Sequence, residues 1–245
     1  MKFLVTGAGS GFGRAIAERL ASDGHNVVAV ARTQADLDSL KAQYPDRIAT
    51  IAADVKDASA IAALADQMVD WQPDGIVLNA GGPPVMQSLD VKPEDWDSAW
   101  ELVFKWKVEL CRRLVPGMMD RGFGRVLFIE SQSVVKPIPG LVLSNAVRAA
   151  VVGYAKTLSR EVALNGVTVN CILPGSHATP AIERVVKLRA KEQGVDVAVA
   201  RSRMEEQIPV GRMGKAEELA SMAAWLLSKD AAFTTGQAIL HDGGL

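Results

Sequence analysis

Short apolar runs alternate along this chain with longer segments whose apolar residues recur at helical spacing. This alternation predicts parallel strands joined by right-handed helical connections. The runs are continuous in Val, Ile and Leu, which is typical of strands that helices cover on both faces. The strand candidates are residues 3–5, 27–30, 48–52, 75–78, 126–129, 167–172 and 238–240. We therefore expect an α/β, doubly wound Rossmann fold: a seven-stranded parallel sheet with helices on both faces.

The helical patterns begin near residues 13, 35, 58, 94, 145, 181 and 216. No linker, low-complexity tract or internal repeat interrupts them, so we expect residues 1–245 to form a single domain. The least regular stretch is 176–213, between the sixth strand and the last helix. It predicts either a mobile substrate lid or a peripheral helix pair.

Composition excludes several classes of function. The chain has 27 Lys and Arg against 28 Asp and Glu and no basic run, which argues against nucleic-acid binding. We expect no membrane segment, since no apolar stretch approaches the length of a span, and no leader, because the first strand begins at residue 3. The two cysteines, Cys111 and Cys171, stand alone at apolar positions and favour a reducing cytoplasm.

A glycine-rich loop follows the first strand and opens the first helix. Glycines there permit a tight turn, close approach of backbone N–H groups to a pyrophosphate and close helix-to-strand contact. The alternative is a purely structural turn. The segment is Thr6-Gly7-Ala8-Gly9-Ser10-Gly11-Phe12-Gly13, and its position predicts dinucleotide binding.

The choice between NAD and NADP is read at the end of the second strand, where an acid would accept the ribose 2′-hydroxyl. Here Ala31 removes that acid and Arg32 offers a guanidinium to a 2′-phosphate, so NADP is favoured, with NAD as the alternative. Arg32 could also be a solvated charge stacked on adenine. Asp54 and Val55, after the third strand, are placed to reach the adenine amino group, although Asp54 could instead cap a helix.

These motifs resemble those of the short-chain dehydrogenase/reductase family, and in particular its 3-oxoacyl-acyl-carrier-protein reductases. The resemblance implies a seven-stranded doubly wound sheet, NAD(P)-dependent hydride transfer between a carbonyl and an alcohol, and a homotetramer. It covers essentially the whole chain. Besides the glycine loop it rests on Asn79-Ala80-Gly81, Pro174-Gly175 with Thr179, Thr235-Gly236-Gln237 and Asp242-Gly243-Gly244.

The family's acid–base groups are a Ser, a Tyr, a Lys and an Asn, and only the first is kept. Ser131 stands at the Ser position, Ser144 at the Tyr position, Arg148 at the Lys position and Val103 at the Asn position. A Ser hydroxyl is a far weaker acid than a phenol. Arg148 can hold ribose hydroxyls or donate a bidentate pair to a carboxylate or phosphate, but it cannot relay a proton. The predicted catalytic residues are thus Ser131, Ser144 and Arg148.

Other side chains could replace the missing acid. Tyr154 lies ten residues beyond Ser144, roughly 15 Å along the helix, so core or subunit packing is the better interpretation. His177 could lie beside the nicotinamide or in a surface loop. Lys136, in a loop that Pro residues stiffen, and Glu130 are further candidates.

The sequence leaves three functions open. The first is an NADP-dependent oxidoreductase with an unorthodox proton donor: a water held by Ser131 and Ser144, or a substrate-borne acid paired with Arg148. The second is a nucleotide-binding regulator or partner subunit without turnover. The third, a redox-neutral lyase such as a halohydrin dehalogenase, fits less well because those proteins keep the Tyr and lose the glycine loop. We expect a small-molecule substrate and no metal.

Overall fold

The strands form a single parallel sheet. A computed structural model describes the backbone of residues 1–245 and every side chain except that of Arg184. The seven strands are ordered β3-β2-β1-β4-β5-β6-β7, and each neighbouring pair is parallel. Their bounds are β1 Lys2–Thr6, β2 Asn26–Ala31, β3 Ile48–Ala52, β4 Gly75–Leu78, β5 Gly124–Ile129, β6 Val167–Pro174 and β7 Ala238–His241. The predicted fold class is confirmed.

Helices cover both faces of this sheet and bury two separate cores. Helices α1, α2 and α9 pack on one face, and α3, α5 and α6 pack on the other. Among the described residues, no helix combines the length and apolar character that a bilayer crossing requires. The helices are α1 Gly11–Ser22, α2 Gln34–Gln43, α3 Ala58–Trp71, α4 Pro93–Trp100, α5 Trp106–Asp120, α6 Val142–Val162, α7 Pro180–Gln193, α8 Val197–Glu206 and α9 Ala216–Leu227.

The irregular stretch 176–213 contains α7 and α8, which pack on each other around a small apolar cluster of their own. The cluster includes Val186, Ala200, Met204 and Ile208. The predicted helix pair is therefore present. Because the N-terminal part of α7 also borders the main cavity, the pair has the position that a lid over this cavity requires.

The sheet positions the site through its strand order. Strands β2 and β3 extend the sheet to one side of β1, and β4 to β7 extend it to the other. A crevice opens at such a reversal, outside the carboxyl ends of the strands, and ligands bind there. The loops after β1, β4, β5 and β6 meet in it, and they carry most of the predicted site residues.

Candidate functional site

The glycine loop has a backbone that other residues would not accept. Gly7 and Gly11 have φ values of +64° and +55°, in the left-handed region that favours glycine. A Cβ on Gly13 would lie 2.2 Å from the carbonyl oxygen of Gly7. The loop therefore folds back on the first turn of α1, so Gly13 serves close packing while the preceding glycines face the cavity.

The first turn of α1 offers backbone donors to an anion. Ser10 occupies the position before the helix, and its side chain caps none of the first N–H groups. Helix N-termini carry partial positive charge and unsatisfied N–H groups, so they favour phosphates. The loop and helix thus fit the pyrophosphate of a dinucleotide.

A cavity of about 580 Å³ extends from this loop to the ends of β5 and β6. Most of the predicted site residues line it, while Thr6 and Gly13 do not. The predicted residues in its wall are Gly7, Gly9, Ser10, Gly11, Phe12, Arg32, Asp54, Val55, Asn79, Ala80, Gly81, Ser131, Ser144, Arg148, Pro174, Gly175 and Thr179.

Thr6 supports the loop from behind instead of facing the cavity. Its side chain is fully buried. Its hydroxyl is within hydrogen-bond distance of the carbonyl oxygens of Val77 (3.2 Å) and Asn79 (2.9 Å) and accepts a bond from the Asn79 N–H at 2.9 Å. The motif predicts that Thr6 contacts the cofactor, but its side chain does not line the cavity. The residue joins β1 to the end of β4 because its polar group, once buried, needs partners.

The adenosine end of the cavity carries charges of both signs. Arg32 and Asp54 line it as predicted, and so does Asp36, which sequence reasoning missed. The Asp36 Oδ2 would lie 3.3 Å from a Cβ placed on Gly9. Asp36 stands in the first turn of α2, where acids favour the helix dipole, and that position was its only sequence signal.

The alternative role suggested for Asp54, helix capping, belongs to a neighbour. Asp57 precedes α3, and its carboxylate accepts bonds from the N–H groups of Ser59 and Ala60. The Ser59 hydroxyl donates to the same carboxylate, and this bond, together with the two N–H bonds, holds the pKa of Asp57 below its ordinary value. The carboxylate of Asp54 accepts only from the Lys56 N–H in a local turn, at 3.0 Å, and Asp54 borders the cavity.

At the opposite end, the three predicted catalytic residues come together. Ser131 follows β5, and its hydroxyl oxygen accepts a bond from the Ser133 N–H at 3.1 Å. Ser144 and Arg148 lie one turn apart on α6, and the Arg148 Nε donates to the Ser144 oxygen at 3.1 Å. The Arg148 Nη1 lies 3.4 Å from the backbone oxygen of Glu130, which places the guanidinium beside Ser131.

Beneath these residues, Lys107, Glu130 and Arg148 form a buried ion cluster. Glu130 Oε2 accepts from Arg148 Nη1 at 3.0 Å, and Glu130 Oε1 is in very short contact with the Lys107 ammonium. Lys107 is 1% exposed and the Glu130 side chain 0%. Burial lowers the pKa of Lys107, and the Glu130 carboxylate opposes that change. Glu130, a candidate base from sequence, borders the cavity, but its side chain is fully buried and both of its carboxylate oxygens are paired.

Sequence reasoning missed Lys107 although a signal was present. On α5 the residue shares a face with Leu110, Cys111 and Leu114, all fully or nearly fully buried. A charge at an apolar position of an amphipathic helix requires a buried partner. Glu130, directly after a continuous apolar strand, is that partner.

His177 lines the cavity but does not offer it a free nitrogen. Its Nδ1 lies 3.1 Å from the carbonyl oxygen of Gly175, and its Nε2 lies 2.9 Å from the Nδ1 of His241. Its ring also packs edge-on against Phe12 of the glycine loop. Burial lowers its pKa. The imidazole therefore joins the loop after β6 to the glycine loop.

The other candidates lie away from the cavity wall. Tyr154 packs among Cys111, Phe104 and Phe128, and burial raises its pKa. Lys136 is exposed in its loop. Val103, at the expected Asn position, is buried within a π-helical turn, Glu101–Lys105.

Among the described residues, no group of three or more His, Cys, Asp and Glu is arranged to hold a metal ion.

Known proteins resemble this chain over nearly its whole length. Residues 7–245 match a family model described as enoyl-(acyl carrier protein) reductase. The 2-keto-3-deoxy-L-fuconate dehydrogenase of Xanthomonas campestris pv. campestris is 34% identical over 98% of this chain and 78% of its own. The 3-oxoacyl-[acyl-carrier-protein] reductase of Haemophilus influenzae is 32% identical over 99% and 96%.

Solved structures give the same result. A crystal structure of a variant actinorhodin polyketide ketoreductase with NADPH has a TM-score of 0.94 and 30% identity, covering 100% of this chain and 96% of the other. The family resemblance therefore holds in sequence, in fold and in the glycine loop at the end of β1. The chain belongs to the short-chain dehydrogenase/reductase family, as its motifs predict.

Proposed function

We propose that this protein is an NADP-dependent oxidoreductase that interconverts a carbonyl and an alcohol, in the manner of a 3-oxoacyl reductase, with a non-standard proton donor. The observation that carries the proposal is one continuous cavity that joins the glycine loop to Ser131, Ser144 and Arg148. The family membership, the dehydrogenase and reductase relatives and the NADPH-bound neighbour support an oxidoreductase with NADP.

The residues present fit such a cofactor. The N–H groups at the start of α1 would hold the pyrophosphate, Arg32 the 2′-phosphate and Asp54 with Val55 the adenine. Arg148 would hold ribose hydroxyls, and the segments Asn79-Ala80-Gly81 and Pro174-Gly175, with Thr179, would border the nicotinamide. Bound NADPH would supply a hydride.

The chain's own residues then have to orient the carbonyl and bring a proton to its oxygen. The Ser131 and Ser144 oxygens each accept a bond from protein, so each O–H remains able to donate. We assign them to a water that supplies the proton, with an acid carried by the substrate and paired with Arg148 as the other route. General acid catalysis typically contributes about 10²–10⁴-fold, so hydride transfer can persist without the phenol.

We further propose that 176–213 acts as a substrate lid on a single domain, because α7 borders the cavity and its packing with α8 is separate from both main cores. A homotetramer in the cytoplasm is the expected state. The tetramer is what the family implies, and the buried free thiols of Cys111 and Cys171 suit a reducing compartment.

The test has two measurements on one preparation. NADPH and NADH binding are followed by cofactor fluorescence, and NADPH oxidation is then assayed across a panel of ketones, oxo esters and oxo acids. We expect tight NADPH binding and oxidation by part of the panel. Ser131→Ala and Ser144→Ala should lower kcat at least tenfold with an unchanged Kd for NADPH. Arg148→Ala should lower kcat and also raise the Kd for NADPH.

A second function, dinucleotide binding without turnover, is favoured by one observation: Ser144 and Arg148 stand where the family's Tyr and Lys would be, and they bond to each other. Tight NADPH binding with no oxidation across the panel would establish this function in place of the first. A redox-neutral lyase ranks last, because the glycine loop is intact.

A further inference from the structure

The wall of the cavity at Ser131, Ser144 and Arg148 presents hydrogen-bond donors and positive charge. Each serine oxygen already accepts a bond, from the Ser133 N–H and from the Arg148 Nε. Their O–H groups are therefore left to donate into the cavity that both residues line. Among the described residues, neither hydroxyl donates to protein.

Arg148 adds donors of its own to the same wall. Its Nε and Nη1 are engaged, with the Ser144 oxygen and with Glu130. No group among the described residues accepts a hydrogen bond from Nη2, which carries two N–H groups. The Nη2 would lie 3.5 Å from a Cβ placed on Gly82, so it faces the loop after β4 at the edge of the cavity.

The buried ion cluster keeps this charge from being neutralised within the protein. A single carboxylate, Glu130, serves both Arg148 and Lys107. Burying two cations against one carboxylate is unfavourable, and an anion bound beside Arg148 would lower that free energy. A neutral hydroxyl such as that of a ribose does not offset the second cation, whereas a ligand carboxylate does.

We propose that this wall is a carboxylate-binding site, and that the protein acts on carbonyl compounds that carry a carboxylate close to the reacting carbon, namely 2-oxo or 3-oxo acids and their hydroxy-acid counterparts. One Nη2 hydrogen takes the carboxylate, and the other remains for a cofactor ribose. The serine hydroxyls complete the set of donors around the carbonyl and carboxylate oxygens. This substrate class rests on the proposed oxidoreductase function.

The first arm of the test needs no variant. Phenylglyoxylate is compared with methyl phenylglyoxylate, and acetoacetate with methyl acetoacetate, as substrates for NADPH oxidation. Each pair differs in the carboxylate alone, so the kcat/KM ratio reports recognition of that charge. We expect the acids to exceed their esters at least tenfold. Equal values for acid and ester, with NADPH oxidised by both, would overturn the carboxylate site and leave the oxidoreductase proposal standing.

The second arm measures binding without turnover. Benzoate and benzamide are titrated calorimetrically into the enzyme–NADPH complex, and we expect a Kd for benzoate at least tenfold lower. Arg148→Lys keeps a charge but loses the Nη2 donors, and should reduce that preference several-fold. Arg160→Met, an exposed Arg on the same helix, is the matched control and should leave it unchanged. Equal affinity for benzoate and benzamide in the unaltered protein contradicts the site.

The two arms separate the two proposals. If no compound of the broad panel, these pairs included, oxidises NADPH, the oxidoreductase proposal fails and the assigned substrate class fails with it. Oxidation by other compounds of the panel but by neither acid would overturn the substrate class alone. Preferential benzoate binding would in that case still establish an anion site at Arg148.

Discussion

The two ends of the cavity are built in different ways. At the adenosine end, the site is formed by backbone groups and exposed charged side chains. These are the turn at Gly7 to Gly13, the start of α1, and the side chains of Arg32 and Asp36. At the other end, side chains are held from below by a buried ion cluster. The first end comes from a short stretch of sequence, residues 7–55, through the loops after β1, β2 and β3. The second end depends on α5, β5 and α6 meeting. Cofactor binding is therefore the more robust property and the chemical end the more fragile.

The largest effect on stability should come from a substitution in the buried ion cluster. Glu130→Ala leaves two cations buried without a counter-ion, and losing one partner of a buried ion pair costs about 3–5 kcal/mol. The free energy of unfolding is measured by urea denaturation. Glu109→Ala, which removes a partly exposed surface partner of Arg112 and Arg113, is the control and should change stability by less than about 1 kcal/mol. Similar losses of stability in both variants would mean that the buried ion cluster contributes no more to stability than a surface ion pair does.

Arg32→Ala should act on the cofactor and leave the fold intact. A hydrogen bond to a charged group is worth about 1.5–3 kcal/mol, so the Kd for NADPH should rise roughly tenfold to 150-fold while that for NADH stays the same. Fluorescence titration of both cofactors measures this. Asp36→Asn removes a nearby carboxylate and should shift preference the other way, toward NADPH. An equal loss for both cofactors with Arg32→Ala would identify Arg32 as an adenine-stacking residue.

Gly13→Ala tests the close packing of the glycine loop. The added methyl group would meet the Gly7 carbonyl oxygen at 2.2 Å, and overpacking of this kind costs about 1–3 kcal/mol. Both stability and NADPH affinity should fall. Gly153→Ala on α6 meets nothing within 4 Å and should stabilise by about 0.5–1 kcal/mol. A neutral result for Gly13→Ala would show that the loop can move aside.

The smallest effect concerns His177, which joins the two ends through Phe12. Burial, with His241 beside it, holds the pKa of His177 below its ordinary value. The unfolded chain therefore binds more protons near pH 6.5, and the stabilisation present above that pH is lost as pH falls toward the lowered pKa.

Urea midpoints between pH 7.5 and pH 5 measure this loss for the His25→Gln variant and for the double variant His25→Gln/His177→Gln. His25 is replaced in both because burial also lowers its pKa. His177→Gln should flatten the decline. An unchanged slope would show that His177 does not contribute to the pH dependence of stability.

Periodicity and turn chemistry predict the local features of this molecule well. Continuous apolar runs placed every strand, and the glycine loop is recognisable because its conformation demands glycine at Gly7 and Gly11. The sequence does not predict which side chains pair with each other across long stretches of chain. Lys107 and Glu130 are 23 residues apart, and Thr6 and Asn79 are 73 apart. Such side chains meet only when the strands assemble into the sheet. The motif therefore predicts cofactor contact for Thr6, and no local pattern predicts the ion pair of Lys107.

The central claim is that a hydride reaches a carbonyl in this site without a phenol. Single-turnover reaction of stoichiometric enzyme with NADPH deuterated at both C4 positions and with phenylglyoxylate, followed by mass spectrometry of the product, measures that transfer directly. The account predicts a hydroxy acid carrying one deuterium on its former carbonyl carbon. Tightly bound NADPH that keeps its deuterium, with the oxo acid recovered unchanged, would contradict it.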